Sequence, residues 1–531
     1  MASIYSRFKE MVQRQPQAPA LRTATQTVSY SRLDALAATI QARFPDERPR
    51  IVGIVMAHGV ELVATILAVL RAGAAYVAAE PGLPPERIRY MMSEAGVDFV
   101  ATSDAYRHRF AGFRTITVPA ALKPLAPERM AETDAGRTPA PVAVHADAPA
   151  YVIFTTGRSG RSNGVVVSQA NVMHFADAFE HEFRIGRADV VMQLSVATFD
   201  LFEEELFGAL LNGATLLIPP AGILNDTARL LEFADEHGVT VITGFPQLLS
   251  DINRCVAAGR RLPRSLRLLK SRGDVLFSGF VDHLVDKVEV YNSYAPAEAA
   301  VGATLYRCNG SQVLADGAYP MGRAVDGTEV EVLDDRLRSV VPGLEGEICV
   351  MGDGVARGYI GENPENVNFV NMPDGRRCFC TGDIGYTLAD GTVVFLRRKE
   401  RNVVIGGTRV ECDAVADALR RLPEVESGVV CPSTDSQGLA FLTAYIVPRH
   451  GLKLSLARLR KKLGRYLSAV SMPKFFVRLK KLPLNPNGDL DEGALPLVRK
   501  QPSGGSAGVK NNLNSFSYAG CNDRGARLLY R

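Results

Sequence analysis

A chain of 531 residues that is 47% hydrophobic carries enough apolar side chains for more than one core, since single domains run to about 100–200 residues. Its 61 basic and 57 acidic residues leave a net charge of only +4, dispersed along the sequence, which argues against nucleic acid as the main partner and for a small molecule or a protein. The N-terminal stretch MASIYSRFKEMVQRQPQAPA lacks a signal-peptide core and no run reaches the roughly 18–20 apolar residues that span a bilayer, so the expectation is a cytoplasmic protein without a membrane partner.

The first clear element is SRLDALAATIQARF, where Leu33, Leu36, Ala37 and Ile40 recur at helical spacing and Ser31 with Asp34 resembles a capping box. Apolar runs then alternate with amphipathic ones: IVGIVM, GVELVATILAVLRAG, AAYVAA, PERIRYMMSEAG, VDFVAT. That alternation predicts right-handed β-α-β units and a mostly parallel sheet. Residues 119–148 read as a connecting segment, and a second alternating stretch runs from about 187 to 310.

Between about 315 and 397 the pattern shortens to EVEVLD, GEICVMG and GTVVFL with glycine turns, which predicts an antiparallel or barrel-like subdomain. After Arg401 come a helix at CDAVADALRRL, strands at GVVCPS and FLTAYIV, and a basic helix at LARLRKKLGRYL, together a small α+β domain. The expected class is therefore α/β: a large N-terminal domain over 1–397 with parallel-type βα sheets and a small barrel-like β subdomain, then a small α+β domain over 398–500. The composition QPSGGSAGVKNNLNS marks 501–531 as a flexible tail.

The eight cysteines, at 255, 308, 349, 378, 380, 412, 431 and 521, form no C-x-x-C pair and have no histidine at metal-ligand spacing. Cys378 and Cys380 share one face of a strand, but the thiols read as structural, and neither a zinc site nor a Cys/His nucleophile is expected.

The stretch VIFTTGRSGRSNGVVV, from Val152 to Val167, carries the first chemical signal. Thr155, Thr156, Ser159 and the glycines Gly157, Gly160 and Gly164 offer backbone N–H groups and hydroxyls to phosphate oxygens, in a loop an anion can approach closely. No G-K-[ST] follows, so it is not a Walker loop, and a surface turn has the same composition.

Further stretches follow in order: LRAGAAYVAAEPGLPPERI before the loop, then ATFDLFEEELFGALLNGATLLIP, YNSYAPAEAAVG, GEICVMGDGVARGYIGENPENVNFV, CTGDIGY, LRRKERNVVIGGTRVE and LPLNPNGDLDEGAL. With these the chain resembles the adenylate-forming superfamily, in particular the amino-acid adenylation domains of nonribosomal peptide synthetases, over roughly residues 10 to 497. The resemblance implies a mobile C-terminal domain that turns about a hinge near Glu400. It implies two half-reactions: a carboxylate attacks the α-phosphate of ATP to give an acyl-adenylate and pyrophosphate, and the phosphopantetheine thiol of a carrier protein then displaces AMP.

Carried over residue by residue, Tyr294 stacks on adenine, Glu298 helps hold Mg²⁺, Asp383 accepts from ribose hydroxyls with Arg398 nearby, and the Thr155–Gly164 loop cradles pyrophosphate. Asp200 corresponds to the aspartate that pairs with a substrate α-ammonium group. A buried carboxylate without a cation is costly, which favours an ammonium-bearing substrate. The remaining pocket positions implied are Leu201, Glu204, Thr243, Lys270, Arg272, Ser293, Val301 and Gly302, a polar and charged set that suggests a small polar, acidic or otherwise bifunctional amino acid. Lys270 and Arg272 could equally point away from the pocket, as exposed basic residues normally do.

The pattern is broken where the family keeps two lysines. One is Asn163 in the loop and the other is Asp489 in Asn487-Gly488-Asp489, and Ala297 replaces a hydroxyl residue. Loss of one stabiliser of this kind typically costs about 2.7–4 kcal/mol of transition-state stabilisation. Arg158 and Arg161, or Lys480 and Lys481, could replace the charge, since arginine suits phosphate. The leading expectation is a stand-alone amino-acid-activating ligase using ATP and Mg²⁺ with a carrier protein in trans, because no L-G-G-x-S-like signature is present. The alternatives are an impaired homologue that binds nucleotide, amino acid or carrier without turnover, and an acyl-CoA ligase.

Overall fold

Alternating apolar runs become parallel strands when the helices between them cover both faces of a sheet, and the chain does this twice. The computed structural model describes residues 3–45, 48–110, 112–119, 139–156, 162–300, 302–309, 313–399, 402–435, 439–449, 455–483, 494–500, 516–519 and 527–529. Two compact units emerge: Met1–Thr155 with Asn163–Arg397, and Thr156–Ser162 with Arg398–Arg531.

In the larger unit, a nine-stranded sheet sets six parallel strands side by side: Pro19–Arg22, Thr215–Leu217, Val190–Met192, Val241–Gly244, Leu268–Arg272 and Glu289–Tyr294. Antiparallel strands close its edges, Thr27–Ser29 on one side and Thr304–Cys308 with Arg323–Ala324 on the other. A six-stranded sheet runs in the order Thr115–Thr117, Phe99–Thr102, Ile51–Val55, Ala75–Ala79, Pro149–Thr156, Ser162–Ser168, and its first five strands are parallel. The helix Val60–Arg71 is buried at every residue except Glu61. Such an all-round apolar helix belongs inside a core, and GVELVATILAVLRAG accordingly packs in the largest hydrophobic cluster.

The third sheet is antiparallel and pairs Thr328–Leu333, Gly346–Gly352, Arg377–Thr387 and Phe369–Asn371 in that order, with Val393–Arg398 joining Arg377–Thr387. This half-barrel is the short-strand region expected from the glycine-punctuated sequence. One local expectation is corrected: the helix Tyr30–Gln41 is capped by Ser29, whose Oγ accepts from the Arg32 N–H, and not by Ser31. Asp34 accepts instead from the Tyr5 hydroxyl and the Lys9 ammonium, tertiary partners that the local sequence could not show.

The smaller unit packs the helices Cys412–Arg420 and Leu456–Leu463 on the strands Val425–Thr434, Ala440–Pro448 and Phe475–Arg478, around Val415, Leu419, Val430, Ile446 and Phe476. Within 501–531, where the composition led to the expectation of a flexible tail, the described residues are two short strands. Phe516–Ala519 pairs with Leu497–Lys500, and Arg527–Leu529 extends the four-stranded sheet beside Phe475–Arg478. FSYA and RLL are β-compatible segments that the Gly, Ser and Asn around them obscured. Among the described residues no helix is long and apolar enough to cross a membrane.

Candidate active site

The acid pocket is built from two periodicities that meet. Asp200 and Glu204 lie four apart on the helix Asp200–Leu210, hence on one face, and Lys270 and Arg272 lie two apart on the strand Leu268–Arg272, hence also on one face. The two faces interlock: Lys270 Nζ donates to Glu204 Oε1 at 2.7 Å, Arg272 Nη1 to Glu204 Oε2 at 3.2 Å, and Arg272 Nη2 to Asp200 Oδ2. Arg272 also donates to the Ala295 carbonyl at 2.8 Å. Glu204, Lys270 and Arg272 are at most 2% exposed.

Both basic residues therefore point into the protein. Their burial is tolerated because two cations meet two carboxylates with hydrogen bonds on each. This corrects the premise drawn from Asp200, which does not stand without a cation. Burial pushes its carboxyl up and Arg272 opposes the rise, whereas burial pulls Lys270 down against the pull of Glu204.

Leu201 is 2% exposed on the same helix, Thr243 lies opposite Lys270 on the neighbouring parallel strand, and Ser293 lies opposite Arg272 on the other side. The Ser293 hydroxyl is buried with no hydrogen-bond partner among the described residues. Beside it is a cavity of about 20 Å³, room for one water-sized group, lined by Lys270, Ser293, Gly302, Phe175, Phe179 and Phe183. The Lys270 ammonium stands 5.6 Å and 5.8 Å from the ring centroids of Phe179 and Phe183, within cation–π range. Val301 lies outside the described residues.

Sequence reasoning missed the carboxylates flanking this network. Glu203 accepts from Tyr76 at 3.2 Å, and Glu205 accepts from the Leu194 and Ser195 N–H groups at 3.1 Å. Burial pushes both carboxyls well above the usual carboxylate range. The signal was present as three consecutive glutamates in a helix whose other residues after Asp200 are Leu, Phe, Gly and Ala.

At two positions that the resemblance implies for nucleotide, the Tyr294 hydroxyl donates to Asp383 Oδ2 at 2.6 Å. Asp383, 2% exposed, is fixed further by its own N–H bond to Thr381 Oγ1 at 3.0 Å, and Thr381 in turn donates to the Ile348 carbonyl. An aromatic ring and a carboxylate are thus held side by side, a pairing that fits an adenine ring with ribose hydroxyls. Glu298 is 4% exposed and accepts from the Tyr359 hydroxyl at 2.8 Å, another residue the sequence did not single out. It supplies one hard oxygen donor, enough for Mg²⁺ when phosphates and waters complete the shell. Arg398 ends the strand Val393–Arg398.

The loop strands Pro149–Thr156 and Ser162–Ser168 are in place, whereas Gly157, Arg158, Ser159, Gly160 and Arg161, like Glu400 and Asp489, lie outside the described residues. Thr155 Oγ1 donates to the Asn163 carbonyl at 3.5 Å, and Thr156 is the last residue of its strand. Asn163 is 6% exposed and its Oδ1 accepts from Asn363 at 2.9 Å, so it is an anchored neutral amide where the family keeps a cation. A Cβ on Gly164 would come within 2.9 Å of Val152 and 3.1 Å of Ile360. Close packing of the hairpin explains that glycine without any phosphate.

The family model for AMP-binding enzyme matches residues 8–360. Bacitracin synthase 2 of Bacillus licheniformis is 28% identical over 494 residues, which cover 92% of this chain and 18% of that protein, so the chain spans less than a fifth of this relative. Among solved structures, the o-succinylbenzoate CoA synthetase MenE of Bacillus subtilis superposes with a TM-score of 0.79 at 20% identity, covering 93% of this chain and 97% of that one. PA1221, an NRPS protein containing adenylation and PCP domains, gives 0.78 at 23% identity, with 93% and 83% covered. These structural likenesses establish the adenylation-domain fold. On the extent of the matched family model, and with its two-sheet core, half-barrel and Tyr294–Asp383 pair in place, the chain belongs to the AMP-binding enzyme family.

Proposed function

We propose that this chain activates an amino dicarboxylic acid as its adenylate, with ATP and Mg²⁺, and passes the acyl group to the phosphopantetheine thiol of a carrier protein supplied in trans. The observation that carries the reading is the Asp200–Arg272 ion pair, in which Arg272 is buried and Asp200 half-buried. In the absence of substrate each charge neutralises the other. A substrate carrying both an ammonium and a distal carboxylate exchanges one salt link for two: its ammonium replaces Arg272 on Asp200, and its distal carboxylate takes Arg272 and Lys270. The charge balance of the pocket is kept throughout, and no buried ion is left unpaired. A neutral amino acid leaves the network one positive charge in excess, with Arg272 and Lys270 sharing Glu204, and a dicarboxylic acid without nitrogen leaves it one negative charge in excess.

ATP supplies the adenylyl group and Mg²⁺ offsets phosphate charge. This chain's part is to hold adenine and ribose at Tyr294 and Asp383, to offer Glu298 to the metal, and to fix the α-carboxylate in line with the α-phosphate. The positive charge that Asn163 and Asp489 do not provide is assigned to Arg158 and Arg161.

The test is ATP–pyrophosphate exchange with aspartate, glutamate and 2-aminoadipate beside asparagine, glutamine, succinate and glutarate. Exchange confined to the amino dicarboxylates supports the reading, and exchange with only the nitrogen-free acids overturns it. A second reading, binding without turnover, is favoured by the anchored amide of Asn163. It predicts no exchange with any acid while ATP still raises the melting temperature.

A further inference from the structure

The half-barrel carries a sulfur cluster that the adenylation reading does not use. On the antiparallel pair Gly346–Gly352 and Arg377–Thr387, Cys349 stands opposite Cys380 and Met351 stands opposite Cys378. Residues two apart on a strand share a face and cross-strand partners share it too, so four sulfur side chains form a two-by-two array on one face. The thiol sulfurs of Cys349, Cys378 and Cys380 all lie within 4.8 Å of one another. Cys349, Met351 and Cys378 are fully buried, and Leu333, Val370 and Met372 pack over the group, with Cys380 partly buried at its margin.

We infer that these three cysteines form a binding site for a soft, thiophilic cation, Cu(I) in particular. A trigonal centre with metal–sulfur bonds of about 2.3 Å needs sulfurs about 4.0 Å apart, which this spacing allows with small side-chain adjustments. Thiolate and thioether ligands select Cu(I) over hard cations, and no histidine or carboxylate joins the group to complete a tetrahedral zinc shell among the described residues. Each thiol that becomes a thiolate releases one proton to solvent, so the cation is held more tightly as pH rises. Cys380 is the one residue of the three that is not fully buried, and so marks the side from which the cation enters.

The experiment is transfer of Cu(I) from its bicinchoninate complex to the reduced full-length protein without oxygen. One equivalent is expected to transfer, and the metal's X-ray absorption is expected to show sulfur ligands only. Cys349→Ser and Cys380→Ser are each expected to weaken binding at least about 100-fold, because even the loss of an outer-shell partner costs 10–100-fold. Cys255→Ser, on the helix Pro246–Ala257, is expected to bind as the parent does. No transfer to the parent protein, nitrogen or oxygen ligands in the spectrum, or unchanged binding in Cys380→Ser with native circular dichroism would each overturn the assignment.

Discussion

Replacing Arg272 by methionine probes the charge network at its most connected member. Arg272 satisfies Asp200, one oxygen of Glu204 at 3.2 Å and the Ala295 carbonyl at 2.8 Å, and its own side chain is 3% exposed. Methionine fills much of the volume but leaves Asp200 without its cation and Glu204 with Lys270 alone. Removing one partner of a buried pair costs about 3–5 kcal/mol, and the expected loss lies in that range. Adding Asp200→Asn removes the stranded charge while Lys270 and Glu204 stay matched, so the double variant recovers about 2 kcal/mol or more of the loss. The chain has no tryptophan, so urea unfolding is followed by far-ultraviolet circular dichroism at pH 7. A loss under about 1 kcal/mol, or a double variant whose loss equals the sum of the two singles, refutes the argument that these charges neutralise one another.

Tyr294→Phe removes the hydroxyl bonded to Asp383 at 2.6 Å; hydrogen bonds to charged groups contribute about 1.5–3 kcal/mol, so ATP affinity measured by calorimetry is expected to fall about 10- to 100-fold. Asp489→Lys restores the cation of the N-G-K pattern and is expected to raise exchange rates by about 10²–10³, read in the same pyrophosphate assay. Asp189 gives a pH test. Burial opposes its ionisation, but Arg267, Thr240 and the Gly186 N–H outweigh it and hold the carboxyl below the usual range. Its contribution is therefore complete above the unfolded value of about 3.9 and is lost as pH falls through the lower folded value. Asp189→Asn is expected to cost about 1.5–3 kcal/mol at pH 7 and progressively less in acid, measured by urea unfolding at several pH values.

The parallel sheets were legible because short apolar runs such as AAYVAA alternate with longer ones such as GVELVATILAVLRAG, and length separates strand from helix where both are buried nearly all round. The direction of Lys270 and Arg272 was not legible. Basic residues in a strand normally face solvent, and what turns these inward is a helix 66 and 68 residues away in sequence that brings Glu204 against them. The cysteines show the same limit. The shared face of Cys378 and Cys380 follows from their spacing, but Cys349 joins them only through the register of another strand. The strands at 516–519 and 527–529 were hidden for the opposite reason, since Gly, Ser and Asn around them dominate the composition.

The central claim is that Asp200 and Arg272 part to admit an amino dicarboxylic acid. Mass spectrometry of the quenched reaction with ATP, Mg²⁺ and an equimolar mixture of amino acids and simple dicarboxylic acids addresses it in one step. The predicted result is a single adenylate whose mass corresponds to an amino dicarboxylic acid, absent from the Asp200→Asn protein. An adenylate of a neutral amino acid or of a nitrogen-free acid would contradict it.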